Sequence, residues 1–111
     1  MGNIFLSEEQ KNNYKNYGAI VIKQSFLSWI EILKKGFDKV LTNPGPHARE
    51  NVNDGEGRFF EDYCNWQRIP EFKKFAEESP AAQIVAEATG SKTIQLFHEH
   101  IFIKDPGTDK E

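Results

Sequence analysis

The residues best suited to chemistry in this chain of 111 residues are two histidines separated by one glutamate, His98 and His100. In an extended strand, residues two apart point to the same side, so both imidazoles would lie on one face. Two imidazoles are only part of a metal site, because a complete site needs at least one further ligand. No further ligand stands at a suitable spacing. Three interpretations therefore stay open: metal binding, lining of a pocket, and plain packing or hydrogen bonding.

Two cationic side chains accompany the histidines. Lys104 falls on the same predicted strand face as His98 and His100, and its ammonium group could attract the carboxylates of a small acid. Arg58, which precedes two phenylalanines, carries a guanidinium that binds carboxylates in a bidentate geometry. For each cation the alternative is an exposed side chain beside a turn or a strand.

Other side chains have simpler interpretations. Phe60, Tyr63 and Trp66 form an aromatic cluster that either walls a pocket or belongs to the core. Cys64 is expected to be a small buried apolar residue rather than a nucleophile, because no histidine lies near it in the sequence. His47, in a loop rich in Pro and Gly, is expected to be exposed.

Composition excludes several classes of protein. With 38% apolar and 13% aromatic residues, the chain can form a core. A net charge of −3 argues against a nucleic-acid binder. We expect no membrane segment, because the apolar runs are too short, and no secretory leader, because the N-terminus has no basic segment followed by an apolar stretch. The single cysteine forms no internal disulfide, which favours a reducing compartment, the cytoplasm.

The N-terminal half predicts two helices and a strand. A capping box at Ser7 and Gln10 begins a helix that ends near Gly18, and residues 19–22 are interpreted as a buried strand. A second capping box at Ser28 begins an amphipathic helix that ends at Asn43, before a proline. The apolar face of that helix comprises Trp29, Ile30, Leu33, Phe37, Val40 and Leu41.

The C-terminal half predicts a loop, two helices and a long strand. Residues 42–57 are rich in Gly, Pro, Asn and Asp, which is typical of a surface loop. Pro70 begins one helix, and Ser79-Pro80 begins another that turns Ile84, Val85 and Ala88 inward and stops at Gly90. Residues 93–104 alternate as a strand, followed by a turn at residues 105–108. The sequence therefore predicts an α+β fold.

Four pieces of the chain stand in an order that resembles the N-terminal portion of the phytanoyl-CoA dioxygenase family. They are residues 6–10 leading to 17–22, residues 26–28, residues 57–62, and residues 96–108, which end in Lys104-Asp105-Pro106-Gly107-Thr108. The family consists of non-haem Fe(II)/2-oxoglutarate oxygenases built on a double-stranded β-helix, or jelly roll. The resemblance implies that residues 1–111 supply the N-terminal helices and first strands of one such domain, truncated before its iron-binding motif.

The resemblance also implies what each candidate residue does. The family's iron ligands come from a Trp-His-x-Asp motif and a later histidine, none of which this chain contains. No catalytic or metal-binding residue is therefore assigned here, and the fragment is expected to be inactive alone. Arg58, His98, His100 and Lys104 would line the 2-oxoglutarate pocket of the full-length enzyme, which would hydroxylate a small organic substrate. The substrate, the reaction outcome and the oligomeric state stay undetermined.

The competing hypothesis is a self-contained small α+β binding module without catalytic activity. Three features argue against this module: the strongest strand lies at the C-terminus without a later partner, both of its faces carry apolar residues, and the turn at Pro106-Gly107-Thr108 leads to no further element.

Overall fold

The computed structural model describes residues 4–51 and 57–107. Within these residues the chain forms four α-helices, one short 3-10 helix and a three-stranded antiparallel sheet. The α+β prediction is thus confirmed. The helices are α1 (Glu8–Tyr17), α2 (Ile30–Thr42), α3 (Pro70–Glu78) and α4 (Ala81–Thr89), the 3-10 helix is Leu27–Trp29, and the strands are β1 (Arg49–Glu50), β2 (Phe59–Tyr63) and β3 (His100–Lys104).

Helix α1 begins and ends where the sequence predicts. The backbone amide of Gln10 donates to Ser7 Oγ at 3.1 Å, and the amide of Ser7 donates to Gln10 Oε1 at 2.9 Å. This reciprocal pair satisfies two amides that a helix start leaves without partners. Gly18 then adopts a φ of 76°, a left-handed conformation that ends the helix at low steric cost.

The predicted strand at residues 19–22 is wrong. These residues have no regular structure, and Val21 is 81% exposed. A strand needs a neighbour to bond its amides and carbonyls, and the described sheet has the order β1-β2-β3 with no place taken by this segment. β-Branched residues alone therefore do not make a strand here.

Helix α2 forms, but the predicted second capping box at Ser28 does not. Ser28 lies inside the 3-10 helix, and Trp29 occupies the cap position without a side-chain hydrogen bond. The predicted apolar face is confirmed at Val40, which is buried, and at Leu33, Phe37 and Leu41, which pack against the core. It is wrong at Ile30, which is 44% exposed. The helix ends at Thr42, just before Asn43, as predicted.

A glycine in the middle of α2 sets how closely α3 approaches. A Cβ added at Gly36 would lie 2.5 Å from Cε1 of the Phe72 ring. The ring therefore occupies the space that a side chain at position 36 would fill. Beside this contact, the rings of Phe37 and Phe72 pack edge to face with centroids 5.6 Å apart.

The predicted loop at residues 42–57 contains the short strand β1, which pairs Arg49 with Glu61 and Glu50 with Phe60. Residues 52–56 of this loop lie outside the described residues. β1 forms because it pairs with β2. The sequence of this loop is dominated by turn-forming residues and contains no local pattern that predicts the strand.

Strand β3 confirms only the second half of the predicted strand at residues 93–104. Residues 93–99 are irregular, and those from 93 to 98 are exposed. The reason lies in β2, which ends at Tyr63 and is followed by Cys64 with a φ of 61°. The Cys64 amide donates a hydrogen bond to the carbonyl of Glu99 at 3.0 Å. Beyond this bond, β2 offers no further backbone hydrogen-bond partner to the residues before Glu99.

The core lies between the inner face of the sheet and helices α2 and α3. Pro70 occupies the first turn of α3 as predicted. Ser79 and Pro80 precede α4, where the Ala81 amide donates to Ser79 Oγ at 3.3 Å. Ile84 is buried as predicted, whereas Val85 is 45% exposed rather than inward. The buried core cluster consists of Val40, Phe60, Ile69, Phe72 and Ile101.

None of the helices in the described part of the chain combines the length and the apolar character needed to cross a membrane.

Candidate functional site

The two faces of the β2–β3 pair carry different chemistry. Phe60, Ile101 and Ile103 face the core, so the alternate residues of each strand face the other way. We call this second side the outer face, and it is built from cross-strand neighbours. It consists of Phe59, Glu61 and Tyr63 of β2 with Lys104, Phe102 and His100 opposite them on β3.

Three imidazoles surround one phenol on the outer face. The ring centroid of Tyr63 lies 4.4 Å from that of His47, 5.1 Å from that of His100 and 6.0 Å from that of His98. His100 also stacks on Phe102 at 4.2 Å. The structure thus brings His98 and His100 together around Tyr63, although only His100 belongs to the strand. His47 is exposed, as predicted.

The donor set on this face does not fit an iron site. The ring centroids of His98 and His100 are 6.4 Å apart and their planes are inclined by 44°. Across residues 4–51 and 57–107, no three His, Cys, Asp or Glu side chains are arranged so that they could hold a metal ion. A two-histidine, one-carboxylate face needs three such donors converging on one point.

The two candidate cations have different surroundings. Lys104 Nζ lies 5.8 Å from the centroid of the Phe59 ring, and among the described residues no carboxylate forms an ion pair with it. Arg58 instead donates from Nε to Glu50 Oε1 at 2.9 Å, and its guanidinium lies 5.2 Å from the Phe60 centroid. The hydrogen bond to Glu50 raises the pKa of Arg58 above its ordinary value. A ligand carboxylate at Arg58 would have to share the guanidinium with Glu50 or displace it.

A buried carboxylate that sequence reasoning missed positions part of the outer face. Asp62 is fully buried, and it accepts hydrogen bonds at 2.8 Å from the backbone amides of Gly45 and Tyr63. The Arg68 guanidinium lies 4.0 Å away. These contacts hold the loop after α2 against β2, which brings His47 over Tyr63. The available signal was an acidic residue at an inward position of an aromatic strand, since a buried charge requires partners.

A cleft lies on the inner side of the sheet, and its volume is about 690 Å³. Helices α2, α3 and α4 form its walls together with residues 94–97 and Glu99. The predicted aromatic cluster is divided between three places: Phe60 lies in the core, Trp66 lines the cleft, and Tyr63 lies on the outer face. The residues that line the cleft are Leu33, Phe37, Trp66, Phe72, Phe75, Ala76, Glu77, Ala81, Ala82, Val85, Ile94, Gln95, Leu96, Phe97, Glu99 and Ile101.

Cys64 is exposed, so the expectation that it is buried is wrong. It follows the last residue of β2 and has a φ of 61°. In this turn the chain leaves the alternation of the strand.

No family model matches this chain, and neither a curated protein nor a solved structure does. The resemblance to an oxygenase family therefore rests only on the sequence motifs that carry it.

Proposed function

We propose that the outer face forms one wall of the 2-oxoglutarate pocket of an Fe(II)/2-oxoglutarate-dependent oxygenase, similar to the phytanoyl-CoA dioxygenase family, that hydroxylates a small organic substrate. In this proposal the β1-β2-β3 sheet is the beginning of a jelly roll. One observation carries the proposal. Tyr63, His100 and Lys104 lie together on one side of the sheet, while Ile101 and Ile103 attach the other side to the core.

The chemistry of the outer face suits a dicarboxylate. Lys104 supplies a positive charge without an acidic partner among the described residues, and Tyr63 and His100 supply groups that donate hydrogen bonds. The strand rises about 3.3 Å per residue, so Lys104 and His100 lie about 13 Å apart along β3. The long Lys104 side chain and the shorter imidazole of His100 extend from the same face of the strand, so the two can approach opposite ends of one small anion.

The described residues contribute binding groups and no iron site. In the proposal, the metal is held by side chains other than those of residues 4–51 and 57–107. When bound, Fe(II) and 2-oxoglutarate would supply the oxidising chemistry. Lys104 is the preferred anchor for the cosubstrate, because Arg58 is already paired with Glu50.

The test is a titration of the iron-free chain with 2-oxoglutarate, followed by NMR of its backbone amides. We expect saturable shifts at Tyr63 and at residues 98–104. Lys104→Ala should weaken binding by about tenfold or more, because a charge-assisted hydrogen bond contributes about 1.5–3 kcal/mol, and Lys104→Arg should retain much of it. Lys34→Ala is the matched control, since Lys34 is an exposed lysine on α2.

Two results would contradict the proposal: no saturable shift on the outer face, or an unchanged affinity in the Lys104→Ala chain.

The second candidate function is a small binding module without catalysis. The cleft favours this function, because its volume of about 690 Å³ falls within the range of about 300–1,000 Å³ that is typical of small-molecule sites. A ligand in the cleft with no 2-oxoglutarate on the outer face would support the module.

A further inference from the structure

We propose that the cleft binds a small organic cation with an apolar body, such as an alkyl or aryl amine. The cleft lies on the inner side of the sheet, away from Lys104 and His100. This inference is therefore independent of the proposed oxygenase function.

The walls of the cleft suit an apolar body. Five aromatic side chains of the described residues line it. They come from α2, from α3, from the segment between β2 and α3, and from the segment between α4 and β3. These residues are Phe37, Trp66, Phe72, Phe75 and Phe97. Apolar walls around a cavity of about 690 Å³ are typical of sites that enclose most of a small ligand. At the cleft, Val85, Ile94 and Leu96 remain 45%, 38% and 45% exposed, so a ligand would remove apolar surface from water.

The charge of the lining selects a cation. Among the residues that the structure describes, Glu77 and Glu99 are the only charged ones that line the cleft, and no lysine or arginine does. Two carboxylates in an apolar wall attract a positive group and repel a negative one. The aromatic faces add to this preference, because a ring such as that of Trp66 attracts a cation placed over it.

Glu99 has an unused acceptor beside this wall. One carboxylate oxygen accepts a hydrogen bond from the backbone amide of Asn65. The other, Oε2, is buried and has no hydrogen-bond partner among the described residues. A buried acceptor without a donor is unfavourable, and an ionised carboxylate can only accept. The group that satisfies Glu99 Oε2 must therefore be a hydrogen-bond donor, and an ammonium group is one.

A water molecule between Glu99 Oε2 and Asn65 Nδ2 is the simpler alternative, because Asn65 Nδ2 also lacks a partner. Such a water would satisfy Glu99 Oε2 whatever the ligand, so an amine would gain no direct hydrogen bond from Glu99 and the tenfold preference expected from that bond would be absent. The preference between ligands of equal length therefore separates the two explanations.

The test compares n-octylamine, n-octanol and octanoate by isothermal titration of the chain near neutral pH, without iron or 2-oxoglutarate. We expect octylamine to bind about tenfold more tightly than octanol, because it adds a charge-assisted hydrogen bond, and octanoate to bind most weakly. Glu99→Gln should abolish the preference for the amine and keep octanol binding, which also shows that the variant is folded. Glu78→Gln is the matched control, since Glu78 is exposed and does not line the cleft.

A second variant keeps the test decisive if Glu99→Gln fails to fold. Ala82 is exposed and lines the cleft, so Ala82→Phe should obstruct it and weaken all three ligands together. The proposal is overturned if octylamine and octanol bind equally, if the preference for octylamine over octanol survives in Glu99→Gln, or if none of the three binds. It is also overturned if light scattering shows a dimer that Ala82→Phe dissociates and octylamine does not, because a second copy then covers the cleft. A failed 2-oxoglutarate titration would leave these results unchanged.

Discussion

The packing of α2 on α3 predicts that Gly36→Ala destabilises the protein, although alanine is the better helix former. In a helix, alanine is favoured over glycine by about 1 kcal/mol. Here the new Cβ would lie 2.5 Å from Cε1 and 2.9 Å from Cδ1 of Phe72, and 3.2 Å from Cβ of Glu71. Phe72 is 5% exposed and belongs to the core, so its ring cannot move freely.

The magnitude follows from the two opposing effects. Overpacking a well-filled core costs about 1–3 kcal/mol, and contacts this short favour the upper end of that range. After the gain in helix propensity, the free energy of unfolding should fall by about 2 kcal/mol. For a domain of this size, the melting temperature should fall by about 8 °C or more.

The assay is urea unfolding followed by circular dichroism, where a shift in midpoint at constant slope reports stability. The matched control compares Lys35→Gly with Lys35→Ala, because Lys35 is an exposed neighbour on α2 where only helix propensity differs. Combining Gly36→Ala with Phe72→Leu should reduce the cost of the alanine, since the double-mutant cycle measures their contact. If Gly36→Ala instead stabilises the chain as much as the alanine at Lys35, the close approach of the helices is wrong.

Two further predictions concern the ends of the fold. Hydrogen bonds from the backbone amide of Leu6, and then from that of Phe5, lower the pKa of Glu87 below its ordinary value of 4.5. The contribution of ionised Glu87 to the free energy of unfolding should therefore be complete above pH 4.5. It should be lost as the pH falls through the lower pKa that Glu87 has in the folded state. Glu87→Gln should therefore flatten the acid side of the stability profile, and a profile parallel to that of the parent would contradict this. In the described sheet β3 pairs only with β2, and an unpaired edge promotes self-association. Phe102 is 58% exposed, so Phe102→Lys should reduce concentration-dependent association in light scattering without loss of stability. Unchanged association would show that this edge is protected. Ile101 is only 7% exposed, so Ile101→Lys should instead destabilise the fold.

Local signals were sufficient at several helix ends, although not at the start of α2, where the predicted capping box at Ser28 does not form. The capping box at Ser7, the proline at position 70 and the left-handed glycines at positions 18 and 90 act within a few residues of themselves. The strand predictions at residues 19–22 and 93–99 did not hold, because a strand depends on a partner far away in the sequence. A period of two residues indicates which side chains share a face, and it does not indicate how long a neighbour continues beside them.

The outer face shows the same division between local and distant information. Alternation placed His100 and Lys104 on one side of β3, as the sequence predicts. The position of His47 over Tyr63 depends instead on the Gly45 amide and the Asp62 carboxylate, which lie 17 residues apart in the sequence. No local pattern predicts such a contact.

The two proposed sites are separable because they require ligands of opposite charge. On β3, Lys104 points to the outer face and Ile101 to the inner side, where it lines the cleft. Lys104 favours an anion, whereas Glu99, at the start of the same segment, favours a cation. The proposed dicarboxylate site and the proposed amine site therefore lie on opposite sides of β3. A substitution at Lys104 should change only the first affinity, and a substitution at Glu99 only the second. If either substitution changed both affinities alike, a single site would have to explain both sets of ligands.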